Sequence, residues 1–350
     1  MPHIREQYGY PHMVGHRSTL AGGIYEACKR QNKAVNFFWM STISCVSSFG
    51  PRPAFEVTPR KGEPYTVECD VLLAADGVKS CIRVEMLRTL KIDAEVVDTG
   101  QASYRIMLKR DEMKPYPELI ALLDADQVTR WIGEKRHVIA YPVANKSVYN
   151  ISTAHPDKNF AEAPSTTYTT RGSKRAMLDM YHDFGPTVQK MLNIVPDGEV
   201  CEWKLRVHAP LPTWVHGSVA LVGDACHPTL PHLNQGAAQA IEDAAVLSVV
   251  MDHLPDNSPE SINKALRVYE KVRKERAETL VALAAESGRT LHLGEGAAKE
   301  ERDRLFKEAA EKGGKVPDRW ADKDVQKMIY GHDCMKIADE GFEEMFSCLS

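Results

Sequence analysis

A chain of 350 residues, 43% apolar and 26% charged, has the composition of a soluble globular protein with room for about two domains. Its 48 acidic and 44 basic residues give a formal charge of -4, and no basic block interleaved with aromatics is present to neutralise a phosphate backbone, so nucleic acid is not an expected partner. The longest apolar runs, such as residues 281–285, fall well short of the ~20 residues that a membrane span needs. The first thirty residues also lack a charged-then-apolar signal pattern, and an intracellular, cytoplasmic location is expected. The eight cysteines (Cys28, Cys45, Cys69, Cys81, Cys201, Cys226, Cys334, Cys348) contain no Cys-x-x-Cys spacing, which argues against a zinc site or a disulfide framework. Most are expected to be small buried hydrophobes. The thirteen histidines include no His-Glu-x-x-His pair, so no metal is expected.

In chain order, Leu20, Ile24 and Ala27 fall at helical spacing over residues 18–30, a helix entered through Gly15-His16-Arg17. Short β-like runs follow at residues 35–39, 43–46 and 55–58, then a turn over residues 60–64 and a strand at 65–67. Residues 70–75, Asp70 followed by five apolar residues, have strand length and end in Asp76-Gly77, as a buried parallel strand should. Residues 97–205 change character. Alternating stretches at 103–108, 138–143 and 148–153, with a helix from about 173 to 192, indicate a separate α+β domain on an antiparallel sheet. A second buried-strand run at 218–222 ends in Gly223-Asp224 and leads through a loop to a helix from Gln235 to about Met251. A long charged amphipathic helix over about 259–287 and a polar helical remainder follow, interrupted by a Gly-rich stretch at 293–298. No internal repeat is present.

The most informative segment is Gly223-Asp224-Ala225-Cys226-His227-Pro228-Thr229-Leu230-Pro231-His232-Leu233-Asn234-Gln235-Gly236-Ala237-Ala238, continuing through Ile241-Glu242-Asp243-Ala244. It is a strand ending in a carboxylate, a Pro-stiffened loop, and a helix whose first turn is Gly and Ala, so a ligand can approach the backbone N–H groups closely. A short acidic side chain at a strand end accepts hydrogen bonds from polyol hydroxyls, and the helix dipole favours negative charge just beyond Gly236.

This segment resembles the second FAD motif of class A flavin-dependent aromatic monooxygenases of the salicylate-hydroxylase type. The resemblance implies that Asp224, framed by Gly223 and Ala225, holds the ribityl chain of FAD, and that Gly236, Ala237 and Ala238 face the flavin ring. His227 and Pro231 would shape the loop, with His227 acting as scaffold ahead of general base. Asn234 departs from the Gly or Ala common before Gln-Gly and is expected to perturb the loop without abolishing the site. Residues 70–83 are similar to the family's Asp-Gly fingerprint, which implies that Asp76 and Gly77, supported by Ser80 and Arg83, serve FAD and the transient docking of NADH or NADPH. Arg17 resembles the family's helix-start arginine, whose guanidinium meets the FAD pyrophosphate or ribose.

For the substrate, the resemblance points to Arg105 and Tyr141 on strands of the middle domain, with Arg105 binding a carboxylate or phenolate and Tyr141 orienting a phenol. Taken alone, Tyr141 is equally a sheet residue packed on a core. Tyr104 alternates to the other face and belongs to the core, as do Trp203 and Trp214. The implied fold is α/β: an incomplete Rossmann-like FAD domain (residues 1–96 and 206–258), an inserted α+β substrate domain (97–205) and a C-terminal helical region (259–350). The family's βαβ unit with Gly-x-Gly-x-x-Gly is not found; Gly294-Glu295-Gly296 lacks the third glycine and follows a helix. The implied activity is NAD(P)H-driven hydroxylation of a small aromatic substrate with O2 through a flavin C4a-hydroperoxide. Two alternatives stay open: a flavin epoxidase or dehydrogenase on the same fold, and a shortened, flavin-free protein without catalysis.

Overall fold

The alternating runs at 103–108, 138–143 and 148–153 become the strands Val96–Lys109, Arg136–Val143 and Val148–Pro156 of a computed structural model that describes residues 2–31, 34–93, 96–158 and 169–349. The chain packs as two units. One comprises Met1–Asn36, Thr99–Leu205 and Gly288–Gly331; the other comprises Phe37–Asp98, Arg206–Ser287 and His332–Ser350. Residues 1–36 therefore pack with the middle segment, and the C-terminal region divides between the units.

In the first unit a six-stranded sheet has the order Thr129–Gly133, Arg136–Val143, Val148–Pro156, Val96–Lys109, Cys201–His208, Thr169–Arg171. Antiparallel register sets Arg105 opposite Ser152 and Ser152 opposite Ile139, and sets Met107 opposite Asn150 and Asn150 opposite Tyr141. Because directly paired residues share a face, Arg105 and Tyr141 lie on the same side of the sheet. The other side carries Tyr104, Ile106, Leu108, Val138, Ala140, Tyr149 and Ile151, all buried in one apolar cluster with Leu119, Met177 and Val188. Tyr104 is core, as its alternation requires.

The helix expected over 173–192 is two helices, Lys174–Met180 and Pro186–Asn193. Pro186 has no N–H and disfavours helical backbone at Gly185, yet it suits the first position of a new helix, which is where it sits. The helix Arg17–Arg30 forms, but none of its residues is buried, and Leu20 and Ile24 remain about half exposed.

In the second unit, strands Ser41–Ser48, Ala54–Pro59 and Tyr65–Glu68 make an antiparallel meander. The run at 35–39 is not a strand. It leads into a turn at Met40, whose φ of 56° breaks extended backbone, and it leaves Phe38 and Trp39 exposed. A second sheet has the order Val215–His216, Val219–Leu221, Leu72–Ala74, the last pair parallel. Val219, Ala220 and Leu221 are fully buried, whereas Leu73 is 45% exposed, so the 70–75 run gives a short strand covered on one face only. Helices Gly236–Asp252, Pro259–Leu291 and Cys334–Ser347 contribute to the apolar cluster around these strands.

Two smaller expectations fail. Only Cys226 and Cys334 among the eight free thiols are buried, and Trp203 is 40% exposed while Trp214 is fully buried. Trp203 lies on a strand next to the buried Glu202, and strand alternation turns it outward. Among the described residues no helix is long and apolar enough to cross a membrane.

Candidate functional site

Two turns leave the carboxyl ends of adjacent parallel strands in the second unit, the position at which open α/β sheets bind ligands. Leu72 N donates to Ser218 O (3.0 Å) and Val222 N to Ala74 O (2.9 Å), which sets Asp76-Gly77 beside Gly223-Asp224. Gly77 and Gly223 have φ of 80° and 61°, left-handed values that favour glycine. At Gly223 space adds a second constraint, since a Cβ there would come within 3.2 Å of Ala240 Cβ on the Gly236–Asp252 helix. Both carboxylates are exposed, and Asp76 Oδ2 accepts from Ile82 N at 3.3 Å. The buried Arg83 ties the two turns together, donating to Ala225 O (2.9 Å) and Val78 O (2.7 Å). Ser80 caps the Cys81–Thr89 helix by accepting from Arg83 N at 2.9 Å.

Behind the Gly223 turn lies a buried polar network centred on Asp243. Its Oδ2 accepts from Gly223 N (2.9 Å) and His227 Nε2 (2.6 Å), and its Oδ1 accepts from Arg273 Nε (2.9 Å). Arg273 also donates to Gln239 Oε1 at 2.7 Å and pairs with Glu242. Burial pushes the Asp243 carboxyl up, but the interactions with His227, Arg273 and the Gly223 N–H outweigh it and hold the group below the usual carboxylate range. Donor atoms of Cys226, His227 and Asp243 lie within 4.8 Å of one another, close enough for a metal. However, the Arg273 guanidinium already neutralises the carboxylate, and burial pushes the Cys226 thiol well above its ordinary value, so hydrogen bonding accounts for the cluster. His227 thus braces the turn, its ring 5.2 Å from that of Trp214.

Pro231 opens the short 3-10 turn Pro231–Leu233, and Asn234 follows with φ 54° and ψ 36°. Asparagine is among the few side chains that enter the left-handed region readily, so it meets this backbone at little cost. The next helix starts at Gly236 with no side-chain cap from Gln235. Gly236 packs under Thr229, whose Cγ2 would sit 3.3 Å from an added Cβ, while Ala237 is exposed. Its first-turn N–H groups, unclaimed by a cap and flanked by small residues, fit a ligand edge that carries carbonyl oxygen or negative charge. The exposed Asp224 beside them fits hydroxyl groups. This donor and acceptor set matches the polyol chain and pyrimidine edge of a flavin.

In the first unit, Arg105 and Tyr141 share the sheet face opposite the core. Burial pushes the Tyr141 phenol up, partly offset by the Arg105 charge. Arg105 keeps access to solvent while crowded by protein, which lowers its pKa; Tyr141 favours its charged form and the nearby charge of Arg17 disfavours it. Arg17, at the first position of its helix, is thus within electrostatic reach of Arg105.

Sequence reasoning left two residues unassigned, Asp243 and Arg273. Asp243 lies inside the quoted motif. Arg273 hides in a charged run, yet it falls on the stripe Leu266, Tyr269, Arg273, Ala277, Leu280, each at most 2% exposed, and that helical spacing is a legible signal of burial.

A family model described as FAD binding domain matches residues 50–284. An FAD-dependent monooxygenase of Nectria sp is 35% identical over 284 residues, covering 80% of this chain and 64% of the relative. One of Beauveria bassiana is 30% identical over 338 residues, covering 96% and 75%, and the salicylate hydroxylase of Pseudomonas putida is 28% identical, covering 79% and 66%. The chain spans less than two thirds of the Nectria relative and 54% of an Arthrinium relative. Among solved structures, a salicylate hydroxylase substrate complex superposes with a TM-score of 0.67 at 23% identity, covering 89% of this chain and 75% of that one. The Klebsiella pneumoniae protein complexed with FAD and uric acid gives 0.71 at 23% identity, covering 94% and 75%. The paired Asp-Gly and Gly-Asp turns thus lie within the matched region, and the chain belongs to the FAD binding domain family of class A flavin-dependent monooxygenases.

Proposed function

We propose that this chain carries the flavin-holding turns and the substrate face of an FAD-dependent, NAD(P)H-using monooxygenase that hydroxylates a phenolic or aromatic-acid substrate. The observation that carries the reading is the pair of turns at adjacent parallel strand ends, braced by Arg83 and Asp243, beside an uncapped helix start of Gly and Ala. Asp224 would accept from the ribityl hydroxyls, and the N–H groups of Gly236, Ala237 and Ala238 would meet the electronegative flavin edge. Asp76 and Gly77 would serve FAD and nicotinamide docking.

When bound, FAD supplies the redox chemistry, taking electrons from NADH or NADPH and passing them to O2. The chain's own part is orientation. Arg105 supplies positive charge to a substrate carboxylate or phenolate, and Tyr141 holds the phenol oxygen so that the ring carbon becomes more nucleophilic. One oxygen atom enters the ring and the other leaves as water. Relatives named for salicylate and 6-hydroxynicotinate support the aromatic class. Inside the cell, the eight free cysteines would stay reduced.

The test is the flavin content of the purified chain after incubation with FAD and desalting, read by absorbance. Near one flavin per chain, followed by phenol-stimulated NAD(P)H oxidation with a hydroxylated product, supports the reading. A colourless chain favours the flavin-free alternative, and an epoxide or a dehydrogenated product favours the other.

A further inference from the structure

Arg105 and Tyr141 lie two strands apart, and the strand between them, Val148–Pro156, has hydrogen-bonded neighbours on both sides. Its residue Asn150 is directly opposite Tyr141 on one side and Met107 on the other, and the next row along the sheet is Ile139, Ser152 and Arg105. All six residues therefore share the face opposite the core. Directly opposite side chains stand about 5 Å apart at Cβ and diagonal ones about 7–8 Å, which makes Asn150 a direct neighbour of Tyr141 and a diagonal neighbour of Arg105. A ligand that spans from Arg105 to Tyr141 crosses the middle strand between Ser152 and Asn150. The Ser152 hydroxyl is already engaged, 3.3 Å from that of Ser103. The Asn150 amide meets no hydrogen-bond partner among the described residues, and the residue keeps access to solvent.

Asparagine is depleted in strands, where β-branched residues pack better on the pleated surface, and the same strand follows that preference at Val148, Ile151 and Thr153. A residue that breaks this local rule and gains no bond within the fold points to a role toward a ligand. The amide carries one carbonyl acceptor and two N–H donors without charge. Arg105 supplies the positive charge on this face, and no acidic side chain lies in either row. Burial pushes the Tyr141 phenol up and the Arg105 charge partly offsets it, so the two ends of the patch act on one space. We propose that Asn150 is a specificity-determining residue of the substrate face, whose amide holds a second, uncharged oxygen on the aromatic ring, next to the phenol oxygen at Tyr141. The substrate class is then a phenolic acid with its carboxylate toward Arg105 and a hydroxyl or methoxy group ortho to the phenol. This assignment rests on the proposed substrate face of Arg105 and Tyr141.

The full chain, incubated with FAD, is titrated calorimetrically with 4-hydroxybenzoate, 3,4-dihydroxybenzoate and 4-hydroxy-3-methoxybenzoate. The expected result is roughly fivefold tighter binding of the second and third acids than of the first, the worth of one hydrogen bond. Asn150→Val should erase both preferences. Asn150→Asp, whose ionised carboxylate only accepts, should keep the preference for the added hydroxyl and lose that for the methoxy oxygen, which cannot donate. The urea midpoint of Asn150→Val should be no lower than that of wild type, because no internal hydrogen bond is lost and valine suits a strand. Equal affinity for the three acids, no binding of any, a preference that survives in Asn150→Val, a methoxy preference that survives in Asn150→Asp, or a lowered midpoint for Asn150→Val would each overturn the proposal. Hydroxylated product is measured separately. Selective binding without product refutes the monooxygenase reading and keeps Asn150 as the selecting residue, whereas product from all three acids at equal KM refutes the role of Asn150 and keeps the reading.

Discussion

Replacing Asp243 with Ala tests whether the Gly223 turn is held by the buried network. The carboxylate is fully buried and is the acceptor for three donors, Gly223 N–H, His227 Nε2–H and Arg273 Nε–H. Removing one partner of a buried ion pair costs about 3–5 kcal/mol. Arg273 keeps Glu242 and Gln239, which reduces that part, but the Gly223 N–H loses its acceptor, worth a further ~1–3 kcal/mol. Together these give a loss of about 4 kcal/mol for Asp243→Ala and roughly half that for Asp243→Asn, which keeps one acceptor oxygen. Urea unfolding followed by the fluorescence of Trp214, buried beside His227, reads the loss as a shift in midpoint at constant slope. The pH dependence supplies an independent sign. A carboxyl held below its unfolded value stabilises the fold above the unfolded pKa of about 3.9, and that contribution disappears as pH falls through the lower folded value. The gap between wild type and Asp243→Ala should therefore be full at pH 7 and close at more acidic pH. A loss below about 1 kcal/mol at pH 7, or a gap that does not change with pH, would refute the bracing role.

Asn234→Gly should leave stability within about 0.5 kcal/mol of wild type, whereas Asn234→Val should cost about 1–2 kcal/mol because a β-branched side chain resists φ 54°; thermal melts of the two variants decide it, and equal melts would remove the strain argument. His292 lies 2.7 Å from His137, and burial, with the charges of Arg130 and Arg302, lowers its pKa to about 4. The unfolded chain then binds a proton from about pH 6.5 that the fold refuses until about pH 4, so up to about 3 kcal/mol of stability is lost across that window. His292→Gln should flatten the loss, as read by urea midpoints at pH 7, 5.5 and 4. Tyr141→Phe should lower phenol hydroxylation by roughly a hundredfold while leaving flavin content unchanged, measured as product formed per NAD(P)H consumed; an unaltered product yield would remove Tyr141 from the substrate site.

Much of this candidate site is legible in the sequence, because its turns are local. Gly223-Asp224 and Asp76-Gly77 follow apolar strand runs, and the Gly-Ala helix start follows a Pro-rich loop, so short-range chemistry alone marks them. The period-2 pattern likewise put Tyr104 in the core and Arg105 on the opposite face. Local signals misled where a neighbour in space decides burial. Leu20 and Ile24 have helical spacing but no covering layer in their unit, and Leu73 lies in an apolar run whose strand is covered on one face. At Gly185-Pro186 the breaker was visible, yet the apolar period running through it suggested one helix where backbone sterics make two.

By itself, then, the sequence determined the strand-end turns, the antiparallel middle sheet and the family resemblance, since each rests on residues within one element or one turn. Only the tertiary structure decided that Asp243 and Arg273 brace Gly223 and that Arg83 ties the two turns. Those roles join residues 20 to 142 positions apart, and which donors and acceptors meet depends on what the fold brings together, which no periodicity along the chain encodes.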